Sequence, residues 1–466
     1  MSISWRTRFF SLLAAVSLYF AFSVEAQVVN IPDPELQAAI RSALAKPTGD
    51  ITVADMESLT VLSAEGLGTQ NFEGLGAAKN LRTLSLYGCS SITDPEVTCN
   101  FLTDVALPAG LRSLSTLNLW NNSITNLTLP PGMTNLTTII LGDNRLSDLS
   151  FLSGLSNLVS LNLQGNGLED LTLPVGLSGL QELLLLDNGF TSLSLPRGLG
   201  SLRYLDLWSN GLTNLTLPSD MGSLRYLNLS QNQLTSLTLP VGLTNLTSVD
   251  VSVNPLSSLT LPPDLSKLTS LFLDTASLND FSFLAGQSNL EALFIGYNSL
   301  TNLAFPAGLN HLSNLNLSGN YLTDVSFLSN LPNLRILNLY NNQLVSVTLP
   351  SELHNLTRLN VWNKGLTGIA LPAGIPLLVP SVADLRNGGV QVTLFPVIKF
   401  PQRTVGGDFS FELFADTGTF NVFRSTDLTN WAAAGSITVS TPNYPGTTFT
   451  DTAGQSLGKA FYQIRP

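Results

Sequence analysis

"LNLSQNQLTSLTLP", residues 227–240, decides the fold. Leucine stands at 227, 229, 234, 237 and 239, with Asn232 among them. Neither the alternation of a strand nor the three-and-four spacing of a helix runs through it. The asparagine supplies the reason. Asn122, Asn144, Asn166, Asn188, Asn210, Asn232 and Asn254 follow one another at intervals of 22 residues. Ala276 keeps the register without the identity, Asn298, Asn320 and Asn342 resume it, and Lys364 closes it. A fixed period of this length marks a solenoid, in which every turn is one repeat.

The leucines then have places. In "LRYLDLWSNGL", residues 202–212, Leu205 and Leu207 are two apart, as on one face of a strand. Leu202 and Leu212 turn inward at its ends, and Leu215 and Leu217 line the return path. One turn cannot bury them, but stacked turns can, at about 1.5–3 kcal/mol for each leucine before entropy is counted. The asparagine follows the strand where the backbone bends and leaves N–H and C=O groups without ladder partners. Its amide both donates and accepts, so a column of asparagines can serve the bends of adjacent turns. Ala276 cannot do this, and Lys364 does it poorly.

The return path has its own marks. Pro130, Pro174, Pro196, Pro218, Pro240, Pro262, Pro306, Pro350 and Pro372 share a register that Leu152, Leu284 and Leu328 fill elsewhere, each within Ser-Phe-Leu. Two residues on stand Gly132, Gly154, Gly176, Gly198, Gly242, Gly286, Gly308 and Gly374, with Asp220, Asp264, Asn330 and Glu352 in the other turns. Gly, Asn and Asp tolerate positive φ, so a left-handed turn is expected there, with Glu352 a point of strain. Twenty-two residues leave little room for an outer helix, and extended or 3₁₀ segments are expected instead.

The pattern LxxLxLxxNxL, seen as "LRYLNLSQNQL" from Leu224, resembles the leucine-rich repeat, and its 22-residue period resembles the short type of bacterial internalins. The resemblance covers residues 81–374. It implies a repeat solenoid: a curved horseshoe with a parallel β-sheet on its concave face. The first turn, "LRTLSLYGCSSI", puts Cys89 at the asparagine position, as cysteine-type repeats do, and an insertion around "DPEVTCNF" follows. Before it, "DPELQAAIRSALAKP" spaces Leu36, Ile40 and Leu44 on one helical face, with Asp33 as N-cap and Pro34 at the first helical position. Thr52 and Asp55 stand in capping-box register before a second short helix. The two resemble the helical N-terminal cap of internalin-like proteins. After Asp384 the leucine period stops and apolar residues alternate between turn residues. Phe409, Phe411, Phe420, Val422, Trp431, Phe449, Phe461 and Ile464 form the expected core of a module resembling the small C-terminal β-sandwiches of secreted bacterial proteins. The expected organisation is a signal peptide at 1–26, a helical cap with the first irregular repeat at 27–80, the solenoid at 81–385 and the β-module at 386–466.

Composition narrows the function. Charged residues make up 11% of the 466 residues, against about 25% in ordinary proteins. The net charge is −11, from 21 basic and 32 acidic residues, which argues against a nucleic-acid surface and against docking on anionic lipid. Arg6 and Arg8, the apolar run from Phe9 to Phe22, and Val24-Glu25-Ala26 read as a secretory signal cleaved before Gln27, with no membrane insertion afterwards. The two cysteines, Cys89 and Cys99, are either bridged, which an oxidising compartment permits, or separate thiols.

No catalytic or metal-binding constellation stands out, and no cofactor is implied. His311 and His354 lie in different registers and read as solvated or capping residues. Asp206 and Asp250, two strands apart, are about 10 Å from each other, too far to share a metal. The concave strand face remains. Its apolar residues gather as Leu184, Leu186, Tyr204, Trp208 and Tyr226 around Asp206, as Phe272 with Phe294, and as Ile336, Tyr340 and Trp362. Exposed aromatic patches favour binding. The sequence therefore reads as a secreted, extracellular or surface-associated non-enzymatic protein that binds a protein ligand, with a glycan as the alternative.

Overall fold

The computed structural model describes residues 27–64, 69, 71–88, 102–373, 375, 377–404, 408–415, 418–427, 429–440, 447–454 and 460–465. The signal segment, Cys89, Cys99, the insertion at 94–101 and Gly374 lie outside the described residues. The chain forms two compact units, Met1–Leu168 with Thr172–Leu180, and Glu169–Leu171 with Gln181–Pro466.

The first unit opens with helix α1, Pro34–Ala43, which buries Leu36 and Ile40. Asp33 caps it by accepting from the N–H groups of Glu35 and Leu36 at 3.0 and 2.9 Å. Helix α2, Val53–Ser58, carries the Thr52–Asp55 capping box. Lys46 bonds Asp55 at 2.7 Å, and these hydrogen bonds hold its carboxyl down at about 2. Parallel strands follow at Val61–Ser63, Thr83–Ser85, Thr116–Asn118, Thr138–Ile140 and Ser160–Asn162. In the second unit a strand recurs every 22 residues from Glu182–Leu184 to Arg358–Asn360, and Leu377–Val379 pairs with the last of these.

From Val61–Ser63 to Arg358–Asn360 each of these strands is a triplet with its middle residue buried, and the outer two reach solvent except at Asp206 and Asn228, which are buried. Leu205, Leu207, Leu202 and Leu212 have no exposed surface, and Leu215 and Leu217 keep 8% and 7%. The return path is built as expected from two kinds of segment. Asn-Leu-Thr and Ser-Leu-Thr form short strands, such as Asn126–Thr128 paired with Asp104–Ala106 and Ser236–Thr238 paired with Ser258–Thr260. The Ser-Phe-Leu turns instead form 3₁₀ segments, Ser150–Leu152, Ser282–Leu284 and Ser326–Asn330. An aspartate two residues ahead starts each one: Asp148 and Asp280 accept from the backbone N–H groups of Ser150 and Ser282 at 2.9 Å, and Asp324 does so from Ser326. Parallel pairing of the return strands runs on to Gln391–Phe395.

The asparagine column works as a hydrogen-bond ladder. Asn232, 2% exposed, accepts from Leu212 N–H at 3.0 Å and donates to the carbonyls of Leu207 and Leu229 at 2.9 and 3.0 Å. Asn144 repeats this with Ile124, Leu119 and Leu141. The last rung differs from the sequence expectation. Lys364 does not close the ladder; it is exposed. Asn363, one residue earlier, is buried, accepts from Asn342 N–H at 2.5 Å and donates to Leu339 O at 3.1 Å. A short, polar amide fits the buried bend, and an ammonium group does not.

The left-handed turns also differ in part. Gly132, Gly154, Gly176, Gly198, Gly242, Gly286 and Gly308 have positive φ as expected, whereas Asp220, Asp264, Asn330 and Glu352 do not. The two aspartates instead brace neighbouring turns. Their carboxylates accept from the N–H groups of Gly198 and Gly242, 22 residues earlier, at 2.9 and 2.7 Å. A second left-handed column runs just ahead of the asparagines, through Asn121, Asp143, Gly165, Asp187, Ser209, Gln231, Val253, Thr275, Tyr297, Gly319 and Asn341, with φ from 52° to 67°. Its N–H groups hold successive turns together, as from Val253 to Asp274 O at 2.8 Å. That brace keeps even β-branched Val253 and Thr275 in a conformation they disfavour.

An outer ladder runs beside the strands. Asn135, Asn157, Asn245, Asn289, Asn333 and Asn355 each donate to a carbonyl 23 residues earlier. His311 stands in the same column, with Nδ1 2.8 Å from Ser288 O, so its role is backbone bonding.

The C-terminal residues form two three-stranded antiparallel sheets. One orders Val397–Arg403, Phe409–Phe414 and Thr447–Asp451; the other orders Ala432–Val439, Gly418–Ser425 and Phe461–Arg465. Phe411, Phe420, Val422 and Phe449 are in the core, with Ile464 packed against it. Phe409 and Trp431 are half-buried. Phe461 is 36% exposed: Tyr462 and Ile464 face inward, so period two turns Phe461 outward. Arg424 donates to both oxygens of buried Asp451, which Tyr462 also bonds at 3.0 Å.

Candidate functional site: the solvent side of the parallel strands

Three residues per turn reach solvent from the strand side, and the middle one follows a rule. Asn118, Asn162, Asp206, Asn228, Asp250, Asn316, Asn338 and Asn360 each accept with Oδ1 from the backbone N–H two residues later, at 2.9–3.3 Å. The bend after the strand thus spends one side-chain oxygen. What remains for a ligand depends on the residue type. An asparagine offers its NH₂, a donor, and an aspartate offers its second oxygen, an acceptor.

All the residues singled out on this face belong to the second unit. Register brings Tyr204 opposite Tyr226 and Leu184 opposite Asp206. The tyrosine rings stack at 4.4 Å and 8°. Phe272 and Phe294 stack at 4.7 Å and 16°. Adjacent parallel strands lie at the thickness of a stacked ring pair, so neighbouring aromatics in one row cover each other. The first two patches are therefore less exposed than expected: Leu184, Leu186, Tyr204, Trp208, Tyr226, Phe272 and Phe294 are half-buried, and Asp206 is 8% exposed. Tyr340 and Trp362, 42% and 60% exposed, stand free in the last row.

Asp206 divides the first patch. Its carboxylate accepts from Trp208 N–H at 2.9 Å and from the Tyr204 hydroxyl at 3.4 Å. Burial pushes its carboxyl up, as it does the phenols of Tyr204 and Tyr226. Burial also raises Asp274, whose Oδ1 accepts from Gly296 N–H at 2.5 Å. Asp250 adds repulsion to both aspartates. Among the described residues, no group of three or more His, Cys, Asp or Glu could hold a metal ion, and no helix is long and apolar enough to cross a membrane.

Further along, the face turns from acceptors to donors. Asn314, Asn316, Asn338, Asn360 and Arg358 surround a hollow of about 360 Å³ floored by Phe294 and Ile336. Sequence reading placed Ile336 on this face but missed the hollow. Its signal was the run of asparagine at alternate positions in "NLN", "ILN" and "RLN".

The sequence matches the family described as Leucine Rich repeats (2 copies) over residues 134–175 and 222–263, and the BspA type Leucine rich repeat region (6 copies) over residues 269–376. No curated protein matches it. Among solved structures, an internalin (inlF) from Listeria monocytogenes shares 24% identity at a TM-score of 0.52, covering 80% of this chain and 99% of that one. The functional domain of InlJ from Listeria monocytogenes shares 18% at 0.47, covering 84% and 96%. The leucine-rich effector YopM from Yersinia pestis shares 27% at 0.48, covering 62% and 75%. Repeat, register and fold agree: the chain is a leucine-rich repeat solenoid protein of internalin-like fold.

Proposed function

We propose that the protein is a secreted or surface-displayed recognition protein without catalytic activity, which captures a protein partner on the strand face of its second unit. The observation that carries this reading is the exposure of Tyr340 and Trp362 beside the hollow around Asn338. Their side chains serve no core, and large aromatics are the residues that dominate binding surfaces. The backbone beneath is held by the inner and outer asparagine ladders, so little conformational entropy is lost on binding. The signal-like first 26 residues support export. A glycan ligand is the second reading, favoured by the neutral asparagine row beside Trp362.

The test is capture from host or neighbouring-cell protein extracts in parallel with a glycan array, using wild type and the Tyr340→Ala/Trp362→Ala double variant. A protein captured by wild type and lost by the variant, with an unchanged thermal melt, supports the proposal. Glycan signal alone moves it to the second reading. Capture that survives the double substitution places the site elsewhere on the chain.

A further inference from the structure

Within the second unit, the middle row of the strand face changes chemical character along the solenoid. At Asp206 and Asp250, which flank Asn228, it carries carboxylates. From Asn316 to Asn360 it offers only amide NH₂ groups, and the reason is geometric. The backbone N–H groups of Ser318, Tyr340 and Trp362 occupy Oδ1 of Asn316, Asn338 and Asn360. A backbone N–H can only donate, so the bonded atom must be oxygen and the outward atom must be nitrogen. Asn316 spends its NH₂ on Asp274 at 3.4 Å. Those of Asn338 and Asn360 have no partner among the described residues. Neither has the exposed guanidinium of Arg358, which lies beside Ile336 in the adjoining row.

The hollow therefore combines the outward NH₂ groups of Asn338 and Asn360, the amide of Asn314, one unpaired cation and an apolar floor of Phe294 and Ile336. It offers no free carboxylate of its own. Arg358 can present a two-pronged fork, and the two outward NH₂ groups, on adjacent strands, lie about 4.8 Å apart. Donors in this number, beside an apolar floor, match a carboxylate next to an apolar side chain. Resting on the proposed protein-binding role, we propose that this hollow receives an acidic segment of the partner, with a Glu or Asp carboxylate held by Arg358, Asn338 and Asn360 and a neighbouring apolar side chain set on Phe294 and Ile336.

The probe is a labelled, end-blocked octapeptide of alternating Glu and Leu, read by fluorescence anisotropy against the full protein. Its control replaces every Glu with Gln. The expected result is saturable binding of the Glu peptide at least tenfold tighter than that of the Gln peptide, weakening as salt rises. Arg358→Gln should remove most of that ratio with an unchanged thermal melt, since its side chain is exposed, and Asn338→Asp with Asn360→Asp, which keeps an oxygen for the N–H groups of Tyr340 and Trp362 but replaces both outward donors with carboxylate oxygens, should abolish it. No saturable binding, equal binding of the two peptides, or a ratio indifferent to Arg358 would each overturn the proposal. Sedimentation of the unliganded protein forms a further arm. A dimer that Arg358→Gln dissolves would mean that a second copy fills the hollow, and would overturn it too. If a captured partner needs Tyr340 and Trp362 but ignores Arg358, the protein-binding role stands and this inference fails.

Discussion

The turns around Asn232 and Ala276 make the same bend after the strand, one with an asparagine and one with an alanine, although their return paths differ, a strand at Ser236–Thr238 in the first and a 3₁₀ segment at Ser282–Leu284 in the second. In the Asn232 turn, Leu212 N–H donates to the amide oxygen, and Leu207 O receives both Asn232 and the preceding Asn210. In the Ala276 turn the carbonyls lose little, since Asn254 still serves Val251 O and Asn298 still serves Leu273 O. The N–H side changes more. Leu256 N–H, which an amide at 276 would receive, bonds Asn254 O at 2.8 Å instead. In the next turn Asn298 Oδ1 is buried without a partner. Each carbonyl has two donors in reserve, whereas each N–H has one acceptor. The ladder's weak link is therefore the acceptor half of the amide.

Making a second broken turn should have the largest effect. Asn232→Ala strands Leu212 N–H in a site that is 2% exposed and is expected to cost about 2–3 kcal/mol, read as a lower urea midpoint. Asn210→Ala is the graded case. Asn210 is half-buried and accepts from Phe190 N–H at a long 3.4 Å, so its loss should cost about 1 kcal/mol. Equal losses at the two positions would remove the acceptor-based account.

Relief should be smaller than damage. Val253, beside Asn254, holds φ at 55°, and Val253→Asn should stabilise by about 1 kcal/mol because asparagine accepts that conformation more readily. Ala276→Asn should add about 1 kcal/mol by giving Leu256 N–H an amide oxygen across the turns in place of its bond to Asn254 O. Calorimetric melts that fall for both would show that the broken turn has been repacked around its alanine.

The smallest effect depends on pH. Burial holds the carboxyl of Asp274 above its ordinary 3.8, so the folded state binds this proton more tightly than the unfolded chain does. Its contribution is then full below 3.8 and is lost as pH rises through the folded value. Asp274→Asn should raise the urea midpoint at neutral pH and lose that advantage by about pH 3. A gain of the same size at both pH values would put the effect on packing.

Much of this was legible in sequence because it repeats. The inward leucines, the inner asparagines and the Ser-Phe-Leu segments follow from residue type and period alone. Other features depend on atoms of the next turn. Val253 and Tyr297 are not residues that suggest left-handed backbone, and only the Asn, Asp and Gly scattered through their column hinted at it. Asn363 replaces Lys364 because the last turn shifts by one residue. The stacking that half-buries Tyr204 and Phe272 comes from strand spacing. On the candidate face, the residue types were readable, but which amide atom points outward was not, since that follows from the bend in the backbone.

The binding role of the strand face is tested most directly by hydroxyl-radical footprinting of the protein with and without its captured partner. Tyr340, Trp362 and Tyr321 are all exposed, at 42%, 60% and 49%, but Tyr321 lies past the asparagine bend, off the strand face. Binding is expected to protect Tyr340 and Trp362 several-fold and leave Tyr321 as reactive as before. Protection of Tyr321 with Tyr340 and Trp362 unchanged would contradict the account.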